Sequence, residues 1–327
     1  MAIKMYTEEY IQAIANAIRE KNGLTDLYTV TEMPDAIRNI GDLPFNPIGD
    51  GFTHLYITLT ANTLDITLIF KCPTYTTGLI EWGDGTTTTE TGSGSGPHTL
   101  QHSYAEPGDY VITISSNNGE NGPLSLGYGQ SSRLINSGYG EYNTILTAAE
   151  ITHPVNSYCF TNCTELKDVV IYPGCTSLGS YAFNDCTKLK SVVFNTAPEL
   201  NTYVFNYCTN LKEITIPDGV TTLPGNLFTY CSNLETVNLP DSLETIGNSF
   251  SQCYSLQEIT IPENVTSIGN VFNYCYSMHE IHMQPTTPPT VSGLNITASD
   301  YKIYVPAGTL ADYQTAWSSY ASYMVEE

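Results

Sequence analysis

The chain has 327 residues and a formal net charge of −22, from 33 acidic and 11 basic side chains. This excess of acid argues against nucleic-acid binding, which neutralises phosphates with lysine and arginine, and against anionic membrane surfaces. No apolar run is long enough to span a bilayer, and the N-terminal residues lack the apolar segment of a secretory signal peptide. We therefore expect two or three domains, no nucleic-acid partner, no membrane insertion, and synthesis in the cytoplasm without a signal peptide.

Residues 1–41 carry the pattern of two short amphipathic helices. Their apolar stripes are Ile11, Ile14 and Ile18 on the first helix, and Met33, Ile37 and Ile40 on the second. Helices this short are marginal in isolation, so they must pack against something. The run from Tyr10 to Gly23, with Glu32 to Ile40 behind it, resembles a leader found on bacteriophage virion proteins. The resemblance implies that the stripes dock to other virion proteins; the alternative is a helical hairpin packed on the next domain.

Residues 42–51 are rich in proline and turn residues and are predicted to form a linker to a β-rich stretch over 52–117. Apolar residues in that stretch alternate as in half-buried strands, and the run from Trp82 to Thr86 is a tight hairpin signal. This run, followed by His102, Tyr104, Gly108 and Tyr110, resembles the polycystic kidney disease (PKD) domain, a small immunoglobulin-like β-sandwich. A Gly/Ser/Asn-rich connection is predicted over 118–143.

The most regular feature of the sequence is a pattern written six times between Phe160 and Met283. Each copy has a phenylalanine, a cysteine three residues later and a leucine or methionine three residues after that, followed by alternating apolar residues. The phenylalanines, 22 or 23 residues apart, are Phe160, Phe183, Phe205, Phe228, Phe250 and Phe272. The cysteines are Cys163, Cys186, Cys208, Cys231, Cys253 and Cys275. This period predicts a leucine-rich solenoid, in which each unit buries its apolar face against its neighbours.

The end of each copy alternates like a half-buried strand. We predict six strands in one parallel sheet, at Leu166–Ile171, Leu189–Phe194, Leu211–Ile216, Leu234–Leu239, Leu256–Ile261 and Met278–Met283. After each strand we expect a turn with an apolar anchor, and then a helical or 3₁₀ return to the next phenylalanine. The six copies resemble the BspA-like leucine-rich repeat of bacterial surface proteins.

The fold class expected is therefore mainly β, with few helices. It comprises the helical hairpin, the PKD-like sandwich, a six-repeat solenoid over 144–287 and a C-terminal cap over 288–327. Thr144–Pro154 is predicted to be a degenerate first coil that closes the N-terminal end of the array, because the terminal units of a solenoid need cover.

Cysteines that repeat with the coil should stack about 4.8 Å apart, which is too far at Cβ for a disulfide. We expect these six thiols to be reduced and structural, whereas the state of Cys72, Cys159 and Cys175 stays open. The sequence has no Cys-x-x-Cys pair, nucleophile motif, phosphate loop or histidine–glutamate metal motif. We therefore predict no enzyme activity, no metal and no cofactor.

What the repeats offer instead is a surface. The candidate partner-binding residues are Tyr207, Tyr230, Tyr254, Tyr274, Tyr276, Asn238, His279 and His282. Tyrosine supplies amphipathic contact area at low entropic cost, which suits a glycan or a protein. The alternative is that these side chains decorate tolerant positions.

Leader and repeats together predict a non-enzymatic bacteriophage virion protein, of the tail-fibre, tail-tip or head-fibre type, that displays the solenoid to a host surface. The alternatives are a bacterial cell-surface adhesin of the BspA-like class and a capsid decoration protein. The expected partners are other virion proteins through the leader and a host-surface glycan or protein through the solenoid, with a homo-oligomer possible.

Overall fold

The computed structural model describes residues 48–92, 96–117, 124–127, 134–136, 143–298 and 300–327. The chain divides into two units, Met1–Ile48 and Gly49–Glu327. The predicted helical leader and most of the connection over 118–143 therefore lie outside the described residues, as do the candidate docking residues Ile11, Ile14, Ile18, Met33, Ile37 and Ile40. In the part of the chain that is described, no helix is long and apolar enough to cross a membrane.

The second unit begins with two antiparallel sheets. Their strands are β1 (Thr53–Leu59), β2 (Asp65–Lys71), β3 (Thr77–Glu81), β4 (Thr87–Thr91), β5 (Pro97–Ser103), β6 (Gly108–Asn117), β7 (Ser125–Leu126) and β8 (Ile135–Asn136). One sheet runs β1-β6-β3-β4; in the other, β2 pairs with β5, β7 and β8. Apolar residues at alternate positions of these strands join one buried core, as the period of two requires.

A tight turn and an aromatic cluster order this region. The Trp82 ring stacks on His102 with centroids 4.5 Å apart, and the Tyr104 hydroxyl donates to the Trp82 carbonyl at 2.8 Å. Gly83 has a φ of 86°, and a Cβ there would lie 2.7 Å from the Val111 carbonyl oxygen, so glycine is required. Asp84 accepts from the Thr86 amide and lies 2.8 Å from His102 Nε2, which satisfies the carboxylate within the turn.

The array that follows is a β-solenoid of stacked parallel coils. Its strands are β9 (Leu146–Ile151), β10 (Asp168–Ile171), β11 (Ser177–Leu178), β12 (Ser191–Phe194), β13 (Glu199–Leu200), β14 (Glu213–Thr215), β15 (Thr222–Leu223), β16 (Thr236–Asn238), β17 (Thr245–Ile246), β18 (Glu258–Ile261), β19 (Ser267–Asn270), β20 (Glu280–Met283), β21 (Thr290–Gly293), β22 (Lys302–Val305) and β23 (Met324–Glu326).

The six predicted strands correspond to β10, β12, β14, β16, β18 and β20, and every pairing among them is parallel. They begin two residues later than predicted. The leucine of each copy instead closes a turn, as where the Leu234 amide donates to the Cys231 carbonyl at 3.0 Å. One side of the array, which we call the strand face, is formed by β9, β10, β12, β14, β16, β18, β20, β22 and β23.

The strand face is not one continuous sheet, as the sequence led us to expect. It comprises three hydrogen-bonded groups, β9-β10-β12, β14-β16 and β18-β20-β22-β23. Both breaks, β12 to β14 and β16 to β18, fall where proline, Pro217 or Pro262, follows the second strand. Proline has no amide to donate, whereas Asn195 and Gln284 at the same position donate to Ile171 and Ile261 of the previous coil.

The return segments are also not helical, contrary to the prediction. Within residues 143–298, every return is a series of turns bonded to the next coil, as where the Phe183 amide donates to the Val204 carbonyl at 2.9 Å. The predicted apolar anchors belong to short strands: Leu223, Ile246 and Ile268 lie in the parallel group β15-β17-β19-β21. Each coil is therefore hydrogen-bonded to its neighbours through its strand-face strand, its short strand and its return turns. A helix would use those backbone groups within itself, so none forms in these segments.

Two internal ladders fill the solenoid. The six repeat phenylalanines are buried and stack in parallel, with successive ring centroids 5.0 to 6.2 Å apart. Each cysteine thiol from the second copy onward donates to the phenylalanine carbonyl of the previous copy; Cys231 Sγ, for example, lies 3.1 Å from the Phe205 oxygen. All nine cysteines are free and buried, and desolvation raises the pKa of the Cys231 thiol.

The two antiparallel sheets continue into the array. Strand β9, in the predicted degenerate first coil, pairs in parallel with β10 and antiparallel with β1. On the other side, Leu126 of β7 bridges to Val155, which bridges to Leu178 of β11. Buried Glu150 seals the junction, accepting from the Tyr56 hydroxyl at 2.5 Å and the Gly49 amide at 2.8 Å. The first coil of the solenoid is thereby covered by strands rather than exposed to water.

The C-terminal end is closed by β22, β23 and a helical segment. Helix α1 (Leu310–Ala316) is followed by a 3₁₀ helix, Ser318–Tyr323. Tyr313 and Trp317 are buried, and their polar atoms donate to the carbonyls of Pro285 and Pro289. Apolar rings that have satisfied polar ends can thus seal the last coil, as expected for a cap.

Candidate functional site

Two columns of left-handed backbone run along the return segments. One lies two residues before four of the repeat phenylalanines, and the other lies two residues after all six. In the first column, positive φ values near 60° occur at Tyr158, Tyr181, Tyr203 and Asn226. In the second they occur at Asn162, Asp185, Tyr207, Tyr230, Gln252 and Tyr274. The left-handed region is uncommon for residues other than glycine, and asparagine and aspartate tolerate it best. Tyrosine is therefore not what the backbone favours at these positions.

The tyrosines of these columns stack on one another. Tyr158, Tyr181 and Tyr203 form a stack of three, with centroids 4.8 and 4.5 Å apart. Tyr207, which follows the phenylalanine that Tyr203 precedes, stacks on Tyr230 at 4.2 Å. Together with Tyr254, Tyr274 and Tyr276, these eight side chains make up what we call the tyrosine face.

The C-terminal part of the tyrosine face is the most exposed. Tyr276 lies 5.7 Å from Tyr254 and 6.2 Å from Tyr274 between ring centroids. Tyr274 is 47% exposed and Tyr276 is 55% exposed, which is unusual for large aromatic side chains on a folded surface. Contiguous exposed aromatic groups of this kind mark interaction surfaces.

Two phenol groups of the tyrosine face, those of Tyr181 and Tyr207, have a raised pKa. The pKa of Tyr207 is raised, first by desolvation and then by the neighbouring Tyr230 hydroxyl. The pKa of Tyr181 is raised by desolvation and by Tyr203 and Tyr158 on either side. These two side chains therefore present neutral hydroxyl groups at physiological pH, in a chain that is strongly acidic.

The eight predicted surface residues do not form one site. Tyr207, Tyr230, Tyr254, Tyr274 and Tyr276 lie on the tyrosine face, whereas Asn238, His279 and His282 belong to the strand segments. Sequence reasoning missed Tyr158, Tyr181 and Tyr203. The signal that could have found them is their fixed position two residues before each phenylalanine.

The two strand-side histidines are held by neighbouring groups. His282 stacks on Tyr304 at 4.6 Å, and its Nδ1 lies 3.1 Å from the Glu327 carboxylate. His279 Nδ1 lies 3.2 Å from the Asp300 carboxylate. These contacts tie the last strands to the C-terminal segment, so both residues have a structural role at the cap.

The remaining side chains of interest are those that could hold a metal ion. Within them, no group of three or more His, Cys, Asp or Glu side chains is placed to hold a metal ion. His98 pairs with Glu90 at 2.8 Å and stacks on Phe70, which accounts for it as a structural residue.

A family model described as "BspA type Leucine rich repeat region" matches residues 152–279 in six copies. Three solved structures are similar to the chain. A leucine rich cell surface protein from Faecalibacterium prausnitzii is 24% identical over 49% of this chain and 55% of that chain, with a TM-score of 0.39. A leucine-rich repeat protein from Bacteroides ovatus is 24% identical over 54% and 45%, with a TM-score of 0.42. The leucine-rich repeat protein of T. pallidum is 20% identical over 57% and 91%, with a TM-score of 0.39.

The chain spans about half the length of the first two of these structures. Among curated proteins, none matches it. The matched residues include both ladders and all eight side chains of the tyrosine face. Residues 152–279 thus form a leucine-rich repeat region that belongs to the BspA type.

Proposed function

We propose that this protein is a non-catalytic adhesion protein whose tyrosine face binds a component of a cell surface. The observation that carries the proposal is that tyrosines stack at left-handed backbone positions where asparagine serves equally well in other coils. Residues kept in sparsely populated backbone regions tend to cluster at functional sites. The coil imposes the left-handed backbone conformation whichever residue is present. Stability therefore does not explain why tyrosine occupies these positions, and binding is the explanation that we propose.

Several properties of the face suit adhesion. Its hydroxyl groups can hydrogen-bond a glycan or a polar protein surface, and its rings supply contact area at low entropic cost. The repeats place equivalent groups at regular intervals, so a long partner can contact several coils at once. The rings are partly buried by their own stacking, which pre-orders them and lowers the entropic cost of binding.

The antiparallel sheets support this role by holding the array. Their resemblance to the PKD domain, in the motif around Trp82 and His102, supports the assignment of a small β-sandwich. Its sheets continue into the first coils through β1 and β7, so a rigid connection would transmit force from the array to whatever anchors the chain.

The experiment is to replace Tyr207, Tyr230, Tyr254, Tyr274 and Tyr276 together with asparagine and measure binding of purified protein to intact cells. We expect binding to fall to background while the melting temperature is kept. Tyr75→Asn is the matched control, because Tyr75 is also left-handed, with φ 68°, and is 71% exposed but lies outside the array. Undiminished binding of the array variant would refute the proposal.

Treating the cells separates the two kinds of partner. Periodate destroys glycans, and protease removes surface proteins. Loss of binding after periodate alone assigns a carbohydrate partner, and loss after protease alone assigns a protein partner. Binding that survives both treatments would contradict a surface glycan or protein as the ligand.

For the setting of this adhesin we infer a bacteriophage particle, of the tail-fibre, tail-tip or head-fibre type. The support is the resemblance of residues 1–41 to virion leaders. A chain that begins at Phe45, and the full chain with Ile14→Asp and Ile37→Asp, should keep cell binding but fail to join particles. Copurification of either variant with particles at full stoichiometry would refute the docking role. It would leave a bacterial surface adhesin as the better setting.

A further inference from the structure

The two breaks in the strand face open two adjoining clefts. The cleft between β12 and β14 has a volume of about 510 Å³, and the cleft between β16 and β18 has a volume of about 230 Å³. Asn238 of β16 lines both of them. The clefts therefore form one groove across four successive coils, which we call the strand-face groove.

Backbone acceptors lie in each cleft without a partner from the next coil. In coils where the strands pair, one carbonyl accepts two amides: Lys212 accepts from Glu235 and Thr236, and Gln257 accepts from His279 and Glu280. At the two breaks, the corresponding carbonyls of Lys190 and Glu235 accept no backbone amide from the next coil, in the part of the chain that the structure describes.

A proline also borders each cleft. The prolines that follow β14 and β18 line the clefts and remove the donor that would bond the far end of each strand pair. Exposed acceptors of an interrupted sheet are templates for the donors of another chain.

The side chains around the groove are also acceptors. Glu213 lines the larger cleft, and Glu235, Asp241 and Glu258 line the smaller one; all four are exposed. Lys190 is the only lysine or arginine that lines either cleft among the described residues, and Lys212 lies 3.8 Å from Glu235. The groove therefore has an excess of negative charge, concentrated in the smaller cleft.

One end of the groove is apolar. Val193 is 46% exposed on β12, and the partly buried Phe194 and Pro217 lie beside it in the larger cleft. The groove thus offers an apolar contact at one end and carboxylates at the other, with exposed carbonyl groups along it. A matching ligand is extended, carries backbone or side-chain donors and is positively charged.

We propose that the strand-face groove binds an extended basic peptide segment of a partner protein, with an apolar side chain against Val193 and lysine or arginine side chains against Glu235, Asp241 and Glu258. Charge complementarity selects this occupant over an acidic or a neutral one. A peptide also provides the amide donors that the Lys190 and Glu235 carbonyls lack. The site is separate from the tyrosine face and does not depend on the function proposed for it.

The test uses the full chain and a fluorescein-labelled peptide of alternating lysine and serine, read by fluorescence anisotropy at physiological ionic strength. The groove variant combines Glu235→Gln, Asp241→Asn and Glu258→Gln. We expect it to bind about tenfold more weakly, the effect of removing three exposed ion pairs. Asn238→Lys, at the wall that both clefts share, should weaken binding as well.

The control removes the same charge elsewhere, through Glu81→Gln, Glu106→Gln and Glu199→Gln, all at exposed positions away from the groove. It should keep the affinity of the unaltered chain. Equal losses in the groove and control variants would show that the net charge of −22 alone attracts the peptide, and would overturn the proposal. Equal binding of an asparagine–serine peptide, or no binding of the lysine–serine peptide, would overturn it too.

Discussion

Phe228→Ala tests whether the solenoid is stabilised from within as the phenylalanine ladder implies. The side chain has no exposed surface and stacks between Phe205 and Phe250, each 5.6 Å away. Truncating a buried phenylalanine costs about 3–5 kcal/mol of unfolding free energy. Because aromatic pairs add about 0.5–1.5 kcal/mol each beyond burial, and two pairs are lost, we expect a value near the upper end of that range.

Tyr230→Asn, two residues further on, is the matched comparison. It removes the stack on Tyr207, which costs about 0.5–1.5 kcal/mol. It also removes backbone strain, because Tyr230 has a φ of 62° and the left-handed conformation costs about 1–2 kcal/mol for a bulky residue. Asparagine tolerates this conformation better. The two effects nearly cancel, so the unfolding free energy should change by less than about 1 kcal/mol.

The measurement is urea unfolding of both variants, followed by circular dichroism and by tyrosine fluorescence. The two probes must coincide, because arrays can lose cooperativity and a single free energy would then be undefined. A Tyr230→Asn loss as large as that of Phe228→Ala would show that tyrosines of the outer face stabilise the array. The argument that they serve binding would then fail.

The remaining predictions concern buried groups and the strand breaks. Burial lowers the pKa of His153 from its ordinary 6.5 to about 4. Between pH 6.5 and pH 4 the unfolded state therefore binds more protons than the folded state. The contribution of His153 to the free energy of unfolding is complete above pH 6.5 and is lost, by about 3 kcal/mol, as the pH falls towards 4. His153→Gln should flatten that part of a pH titration of stability, and an unchanged slope would contradict the assignment. Iodoacetamide should label few thiols in the native protein and all nine after unfolding without reductant, because every cysteine is free and buried; a disulfide-linked peptide pair would contradict this. Pro217→Ala should restore a donor and slow amide hydrogen exchange in β14, whereas unchanged or faster exchange would show that the proline does not contribute to the break.

The array could be predicted from the sequence because every repeat carries the same pattern of phenylalanine, cysteine and apolar residues. The phenylalanine and cysteine positions place two ladders, and alternation places the strands to within two residues. The return segments were mistaken for helical turns, since their left-handed positions are occupied by tyrosine, aspartate and asparagine rather than by glycine. No local pattern distinguishes such a turn from a short helix.

Features that depend on residues far apart in the chain could not be predicted from the sequence. The antiparallel pairing of β1 with β9 joins residues about a hundred positions apart, and nothing in either strand specifies it. The strand breaks depend on more than proline, because Pro240 follows β16 and yet β14 and β16 stay paired. The candidate tyrosines were chosen because they lie beside the repeat cysteines, whereas Asn238 and the two histidines were chosen as exposed positions of the strand segments. The sequence did not show that these two groups lie on different parts of each coil.

If the tyrosine face contacts the adhesion partner, its exposed side chains must lose solvent access on binding. Hydroxyl-radical footprinting of the protein, free and bound to cells, measures the solvent access of individual side chains. Tyr254, Tyr274 and Tyr276 should lose reactivity on binding while Tyr75 keeps it. Reactivity that is unchanged at these three tyrosines, with protection elsewhere on the chain, would contradict that contact.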